Sequence, residues 1–246
     1  MHIALVGCGR TGREIETAAP ARGHTIAACY TSRNPLTLER AEELGERRID
    51  CLIDFSHPSA VIEHIRCATR THIPIVVGTT GWQDRLDEAC AIIRAGEGAM
   101  VHAANFSPGA ALFFRIIREA ARLFNHADGY DVSLHEVHHR LKKDVPSGTA
   151  AVIARMLIEE LDRKRSVRTQ ASDTASPIGA EELSVTSARV GAVFGTHTVT
   201  FSSEADEIEL THRARSRAGF ALGALMAAEW VRGRSGIFTS DDVFFG

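Results

Sequence analysis

The sequence predicts an α/β protein of two domains, a doubly wound parallel sheet followed by an α+β domain with an open mixed sheet. Three observations carry this. Residues 1–106 alternate short, almost continuously apolar runs with segments of helical spacing, the pattern of strands buried on both faces. After Asn105 the pattern changes to one long helical segment followed by runs of alternating polarity. At 246 residues and 44% hydrophobic, the chain is long enough to bury two cores.

The elements follow in order. HIALVG is a strand-like run, GRTGREIETAA has helical spacing and stops at Pro20, and HTIAACY returns to an apolar run. IDCLIDF, SAVIEHIRCATR, IPIVVG, DRLDEACAIIRA and AMVHAAN repeat the alternation. A helix is expected from Ala110 to about Phe124, then a strand in YDVSLHEV, a helix from about Ser147 to Leu161, and strands in LSVTSARV, AVFGTHTVTF and DEIELTHRAR. In the last of these Ile208, Leu210 and His212 share a face by the period of two. Antiparallel pairing is expected to dominate this second sheet. Lys164 to Glu182, rich in Ser, Thr, Ala and Asp, reads as a mobile surface loop. FALGALMAAEWVRG reads as an apolar helix packed back on the first domain.

Charge and composition narrow the function classes. A net charge of -3, with arginines scattered among carboxylates, gives no basic field for nucleic acid. No apolar run approaches the roughly 20 residues that span a bilayer, and the start of the chain does not resemble a signal peptide, so a cytoplasmic protein is expected. The five cysteines all precede residue 91 and never fall in C-x-x-C spacing, so neither a disulfide nor a zinc framework is expected. The only lysines are Lys142, Lys143 and Lys164, in a chain that otherwise chooses arginine.

Gly7, Gly9 and Gly12 in GCGRTG fit G-x-G-x-x-G between a strand and a helix. Glycines there let a pyrophosphate approach the backbone at the helix N-terminus, which marks a Rossmann-like dinucleotide-binding domain. The same turn also serves plain strand–helix packing. The next strand commonly ends in a carboxylate for the adenosine ribose, but here Tyr30, Thr31, Ser32 and Arg33 follow. Hydroxyls and a cation suit a 2′-phosphate, so NADPH is expected to serve at least as well as NADH; Arg33 alone also fits an ordinary solvated side chain. Phe55 and Ser56, Gly78 to Thr80 and Ala104 to Phe106 lie at further strand ends, where a parallel sheet lines its ligand crevice. GTTGW is equally a tight turn, and Asn105 equally a cap.

Ser133 to Ala150, SLHEVHHRLKKDVPSGTA, poses a choice of chemistry. His135, Glu136 and His139 match the zinc-protease pattern H-E-x-x-H, with Glu159 or Glu160 as a third ligand downstream. Two such histidines meet at one ion only on a helix; on a strand they stand roughly 13 Å apart. The alternation of Tyr130, Val132 and Leu134 and the nearness of Pro146 favour a strand, so no metal is expected. An anion and proton site fits better. Ser147 can cap a helix whose Gly148 and Thr149 amides face a carboxylate, His138 and His139 lie just before it, and the Lys142 ammonium can give up a proton where arginine cannot. Taken singly, Lys142 and Lys143 also fit a solvated loop pair, and His138 a structural histidine.

With these residues in view the chain resembles the dihydrodipicolinate (4-hydroxy-tetrahydrodipicolinate) reductase family of lysine and diaminopimelate biosynthesis. The likeness runs nearly end to end through GCGRTG, IDFSHP, VVGTTGW, AANFSPG, EVHHRLKKDVPSGTA, the G-x-H of FGTHTV, and ELTHRARSRAGFALGAL. It implies a dinucleotide-binding domain over 1–106 completed by 218–246, and a substrate-binding and tetramerisation domain over 107–217. It further implies reduction of a small dicarboxylate by NADH or NADPH in a homotetramer. Carried over by motif, His138 is the proton donor or acceptor and Lys142 the proton donor, while His139, Ser147, Gly148 and Thr149 bind substrate. Cofactor contacts fall on Gly7, Cys8, Gly9, Arg10, Thr11 and Gly12, on Thr31, Arg33 and Phe55, on Gly78, Thr79 and Thr80, and on Ala103, Ala104, Asn105 and Phe106. The missing carboxylate near Thr31 departs from the family and bears on NADH preference. Two rival functions remain: a dinucleotide sensor without turnover, and an H-E-x-x-H zinc hydrolase.

Overall fold

The computed structural model describes residues 1–169 and 176–246, which divide into two compact units, Met1–Ala111 with Arg217–Gly246, and Leu112–Ser216. The chain runs β1 (His2–Val6), α1 (Arg10–Ala18), β2 (Thr25–Tyr30), α2 (Glu42–Glu46), β3 (Cys51–Asp54), α3 (Val61–Arg70), β4 (Ile75–Val77), α4 (Leu86–Ala95), β5 (Ala99–His102) and α5 (Pro108–Asn125). It continues through β6 (Asp131–His138), α6 (Gly148–Glu160), β7 (Ser166–Thr169), β8 (Glu182–Arg189), β9 (Thr196–Ser202), β10 (Glu207–Arg213), α7 (Ala218–Val231), β11 (Gly236–Thr239) and α8 (Ser240–Phe245).

In the first unit six parallel strands lie in the order β11-β5-β4-β3-β1-β2. Side chains alternate across each strand, so β1 sends Ala4 and Val6 to one face and Ile3 and Leu5 to the other. The first face joins Leu52, Ile75 and Val77 to Val61 and Ile65 of α3 and Ala89 and Ile93 of α4. The second joins Ile53, Val76 and Val101 to Ile15 of α1 and to Ala221, Leu225 and Ala228 of α7. Burial on both faces explains the continuous apolar runs. Helix α7 belongs to this unit, as the sequence predicts. It crosses so close to the end of β5 that a Cβ on Gly223 would overlap the Phe106 carbonyl oxygen.

The second unit is a five-stranded sheet in the order β10-β9-β6-β8-β7. One face packs on α5 and α6 through Phe113, Ile117, Val132, Leu134, Ile153, Leu157, Val185, Val199 and Phe201. Antiparallel pairing does not dominate: β10–β9 and β9–β6 are antiparallel, while β6–β8 and β8–β7 are parallel. The crossover through α6 returns the chain to β7 in the direction of β6, and β8 runs the same way between them. Leu210 reaches the core and His212 stacks on Phe113 at 5.5 Å, whereas Ile208, read on the same face of β10, is exposed.

Three further expectations change. Strand β7 falls inside the segment read as a surface loop, and residues 170–175 of that segment lie outside the described residues. Its Ser/Thr/Arg composition hides a strand held by parallel pairing to β8 and by buried Lys164, whose ammonium donates to the Ala180 and Glu182 carbonyls and pairs with Asp131 at 2.6 Å. Strand β11 and helix α8, unread in the sequence, extend the first sheet past β5. Cys8 and Cys29 are joined as a disulfide with a Cα–Cα distance of 6.4 Å. The parallel register of Val6 with Tyr30 sets Cys8 beside Cys29, a tertiary proximity absent from the spacing of the cysteines. Among the described residues no helix is long and apolar enough to cross a membrane.

Gly223→Ala is expected to lower the urea midpoint of unfolding by an amount equivalent to about 1–3 kcal/mol, the usual penalty of overpacking. An unchanged midpoint would show that α7 is not held against the Phe106 backbone.

Candidate active site

The first unit carries a crevice of about 460 Å³ at the carboxyl ends of β1, β2 and β3, lined among others by Gly7, Cys8, Gly9, Thr31, Phe55 and Ser56. Gly7 adopts φ +92, and a Cβ on it would overlap the Phe55 carbonyl, so strand and loop meet at a separation only glycine permits. Gly9 has open space where a Cβ would stand, and the first helical bond of α1 runs from Arg13 N to the Gly9 carbonyl, leaving the Arg10, Thr11 and Gly12 amides outside the ladder. The buried Tyr30 and Ser56 hydroxyls, both of which line the crevice, have no hydrogen-bond partner among the described residues. Together these features fit a dinucleotide: free amides at a helix N-terminus, a loop open to a phosphate backbone, and unsatisfied hydroxyls beside it.

The remaining predicted cofactor residues sit on neighbouring strand ends. Gly78 lies under the Phe55 ring, which meets Phe106 edge-on at 6.2 Å. Thr80, Ala104 and Arg33 are exposed, Ala103 and Asn105 are half-buried, and Asn105 Oδ1 accepts from Ser107 N at 2.8 Å as a turn cap. Thr79 is turned inward: its hydroxyl donates to the carboxylate of fully buried Asp54 at 2.8 Å and accepts from Ser56 N at 2.7 Å. Asp54 also contacts His64 Nδ1 at 2.7 Å. The sequence reading took in Thr79 but missed Asp54 and His64, the hydrogen-bonded pair beneath the crevice that ties the strand ends together.

In the second unit H-E-x-x-H lies on β6 and the residue just after it, not on a helix. Burial alternates along the strand, so His135 faces away, bonded to Thr186 at 2.6 Å, while Glu136 and His138 share the buried face. Glu136 is fully buried. Its Oε1 accepts from Ser147 N at 3.0 Å, Ser187 Oγ at 2.7 Å and Arg189 Nη2 at 2.9 Å. Its Oε2 lies 2.8 Å from His138 Nδ1 and 3.8 Å from His197 Nε2. Ser147 caps α6 by accepting from Ala150 N at 3.2 Å, and its Oγ lies 3.2 Å from His197 Nε2. Buried and fully engaged, Ser147 shapes the turn from beneath, while Gly148 is exposed and Thr149 half-exposed above it. Arg189 also donates to the Asp144 carbonyl at 2.6 Å, clasping the loop that carries Lys142. The Lys142 ammonium rests on Asp144 at 2.9 Å, and its backbone amide donates to the His139 carbonyl. Every predicted catalytic and substrate residue therefore lies on β6, the loop after it, or the first turn of α6.

Comparison with known proteins decides the family. The family model described as "Dihydrodipicolinate reductase, N-terminus" matches residues 1–106, and the one described as "Dihydrodipicolinate reductase, C-terminus" matches residues 109–244. The chain belongs to the dihydrodipicolinate reductase family. It is similar to the 4-hydroxy-tetrahydrodipicolinate reductase of Christiangramia forsetii, 38% identical over 99% of this chain and 97% of that one. The enzyme of the same name from Neisseria meningitidis serogroup C is 36% identical, again over 99% and 97%. In fold it is similar to a dipicolinate-bound dihydrodipicolinate reductase from Paenisporosarcina sp. TG-14, with a TM-score of 0.78 over 98% of both chains at 21% identity.

Within this dihydrodipicolinate reductase two residues at the heart of the site were missed as site residues by sequence reasoning, Glu136 and His197. The period of two on β6 could have found Glu136; His197 comes from β9, and only pairing brings it in. The ligand atoms of Glu136, His138 and His197 lie within 4.8 Å of one another, a spacing that metal sets also have. Here the guanidinium of Arg189 already supplies the positive charge and three donors already occupy Oε1, so the cluster is a hydrogen-bond hub. Burial drives the Glu136 pKa up, but the hydrogen bonds from Ser147, Ser187 and Arg189 outweigh it and hold the carboxyl at about 2. Burial pushes His197 down to about 4, with His138 adding to the effect, so its imidazole is neutral at neutral pH.

Both shifts are depressions, so each group stabilises the fold above its ordinary pKa and loses that contribution as the pH falls. For His197 the loss falls between about 6.5 and 4, and for Glu136 between about 4.5 and 2. Urea midpoints should therefore decline on acidification, and His197→Asn should flatten the decline between pH 6.5 and 4. An equally steep decline in the variant would show that His197 is not held neutral by burial.

Proposed function

We propose that His138 and Lys142 manage the protons of a reduction whose dicarboxylate substrate is held at the turn from Ser147 to Thr149. Family membership makes the chain a 4-hydroxy-tetrahydrodipicolinate reductase, an NAD(P)H-dependent oxidoreductase of lysine and diaminopimelate biosynthesis. The observation that supports the assignment of roles is that His138 and the α6 N-terminus meet one buried carboxylate, Glu136, while Arg189 ties the loop carrying Lys142 to the same carboxylate through the Asp144 carbonyl.

The reduced nicotinamide, when bound, supplies the hydride, and the overall change is loss of the 4-hydroxyl as water and formation of tetrahydrodipicolinate. The chain's own residues do the rest. The Gly148 and Thr149 amides, at the positive end of the α6 dipole, take one carboxylate of the substrate. His139 takes part in binding the other. Lys142 exchanges Asp144 for the substrate and gives a proton to the departing hydroxyl, which an ammonium can do and a guanidinium cannot. His138 takes the ring proton lost with the hydroxyl and returns a proton to the ring after hydride transfer. The domain over 1–106 and 218–246 binds the dinucleotide, with Gly7 to Gly12 on the pyrophosphate and Gly78 to Thr80 and Ala103 to Phe106 toward the nicotinamide. The domain over 107–217 binds substrate and assembles the homotetramer.

Thr31, Ser32 and Arg33 stand where an acidic residue would select NADH. Arg33 makes no hydrogen bond or ion pair with another described residue, whereas Arg40 nearby is taken up by Glu43, Asn34 and the Pro35 carbonyl. Arg33 is thus the cation available to a 2′-phosphate, and NADPH serves at least as well as NADH.

Supplied with substrate generated from pyruvate and aspartate semialdehyde by the preceding synthase, the purified protein should oxidise NADPH and NADH; no oxidation of either would remove the assignment and leave a silent dinucleotide sensor. Lys142→Arg keeps the charge and removes the acid, so turnover should fall by about 10²–10⁴-fold, and near-normal turnover would take Lys142 out of the mechanism. Arg33→Ser should raise KM for NADPH while leaving KM for NADH near its original value; equal changes for both would mean that Arg33 does not read the 2′-phosphate.

A further inference from the structure

We propose that Glu136 is a positioning residue for the proton chemistry: its buried carboxylate holds the proton of His138 on Nδ1, so that Nε2 is the atom that exchanges a proton with the substrate. The inference rests on the reading of His138 given above and names the atom, tautomer and partner through which it works.

The geometry is asymmetric about the imidazole. Nδ1 of His138 lies 2.8 Å from Glu136 Oε2, an oxygen with no other close donor. A carboxylate only accepts, so Nδ1 must carry hydrogen in the neutral ring, and Nε2 is left with its lone pair. The 2.8 Å contact is off the line of a good hydrogen bond, and both atoms are otherwise unpartnered. Such contacts tighten when the imidazole becomes charged or the substrate is bound. Nε2 points toward Gly195, whose backbone is fixed by its carbonyl accepting from Ala214 N at 2.9 Å. A Cβ on Gly195 would come within 2.9 Å of Nε2, so the G-x-H glycine keeps that nitrogen uncovered.

The histidine of the same motif closes the other side. His197 stands edge-on to His138 at 5.2 Å, neutral, with Nε2 between Ser147 Oγ and Glu136 Oε2. A neutral ring there adds no positive charge that would compete with His138 for the carboxylate. The groups facing the pair come from every packed element: Arg189 from β8, His197 from β9, His212 from β10 behind His197, and Lys142 and Asp144 from the loop after β6. Burial lowers the His138 pKa, Glu136 opposes that, and Lys142 and Arg189 reinforce it. Glu136 is therefore the group that raises the His138 pKa against burial, and its removal moves His138 further down. The same carboxylate binds Ser147 N, so the imidazole and the anion-binding turn share one anchor.

In the catalytic cycle only Nε2 changes its proton. The proton leaves Nε2 for the substrate or arrives there from it, while the Nδ1 proton stays between the imidazole and Glu136.

The test joins a pH profile to a direct observation of the tautomer. In the intact protein with dinucleotide bound, long-range proton–nitrogen NMR of the ¹⁵N-histidine-labelled chain should show neutral His138 protonated on Nδ1; a proton on Nε2 would overturn the proposal without any variant. Glu136→Gln should lower kcat by about 10²–10⁴-fold and move the His138 limb of the pH profile down by about 1–3 pH units, with KM for the dinucleotide unchanged. Glu136→Asp should restore the position of the limb and part of kcat. A Glu136→Gln profile superimposable on that of the wild type would overturn the proposal. If Glu136→Gln does not fold, the tautomer measurement alone decides. Wild-type protein without turnover at any pH would instead remove the assigned reaction and leave the tautomer result standing.

Discussion

Glu136 holds a negative charge where no water reaches it, and the second unit is arranged to make that tolerable. A buried carboxylate is costly unless it is both hydrogen-bonded and neutralised. Three donors on Oε1 and an imidazole beside Oε2 meet that requirement, and they arrive from three segments: Ser147 from the α6 cap, Ser187 and Arg189 from β8, and His138 from β6 itself. Satisfying the charge therefore fixes the relative positions of β6, β8 and the loop between β6 and α6. That loop carries Lys142, and the turn that ends it carries the amides of Gly148 and Thr149. Stability and the candidate site depend on the same contacts, which hold the Glu136 carboxyl well below the usual carboxylate range.

The first unit solves a parallel problem in a similar way. Asp54 is buried at the end of β3 and is held by Thr79 from the end of β4, by the Ser56 amide and by His64 from α3. Adjacent strand ends are thereby locked at one level, so that the loops bearing Gly7, Phe55 and Gly78 form a continuous wall. The two carboxylates play corresponding parts. Each is held by groups from neighbouring segments and fixes their relative positions. Polar hubs of this sort specify one arrangement of loops that apolar packing alone would leave loose.

What was legible in the sequence follows from the range of each signal. The strands and helices of the first unit were readable because burial on both faces leaves unbroken apolar runs, and the strand in YDVSLHEV because its polarity alternates. That alternation already separated His135 from His138 and disposed of the zinc helix. The same alternation places Glu136 on the face of His138, but a glutamate in an H-E-x-x-H pattern invites a helical reading, and its burial was overlooked. His197, Arg189 and Ser187 reach the site through strand pairing across more than 40 intervening residues, which no local pattern encodes. The disulfide of Cys8 and Cys29 is of the same kind, a product of parallel register. Strand β11 was missed because a short glycine-led run at the edge of a sheet carries little periodicity, and β7 because its residues are polar and its order comes from Lys164 beneath it. The predominance expected of antiparallel pairs failed because α6, though correctly read, was not recognised as a crossover.

The central claim is that one buried carboxylate organises both the proton site and the anion-binding turn. A double-mutant cycle on dicarboxylate affinity tests it most directly. Binding of pyridine-2,6-dicarboxylate would be measured by calorimetry, with saturating dinucleotide, to the wild type, Glu136→Gln, Arg189→Met and the double variant. Groups acting through one hub are coupled, so the two losses should be non-additive by about 1 kcal/mol or more. Additive losses, or affinity indifferent to Glu136, would contradict the account and leave the turn organised by its own cap.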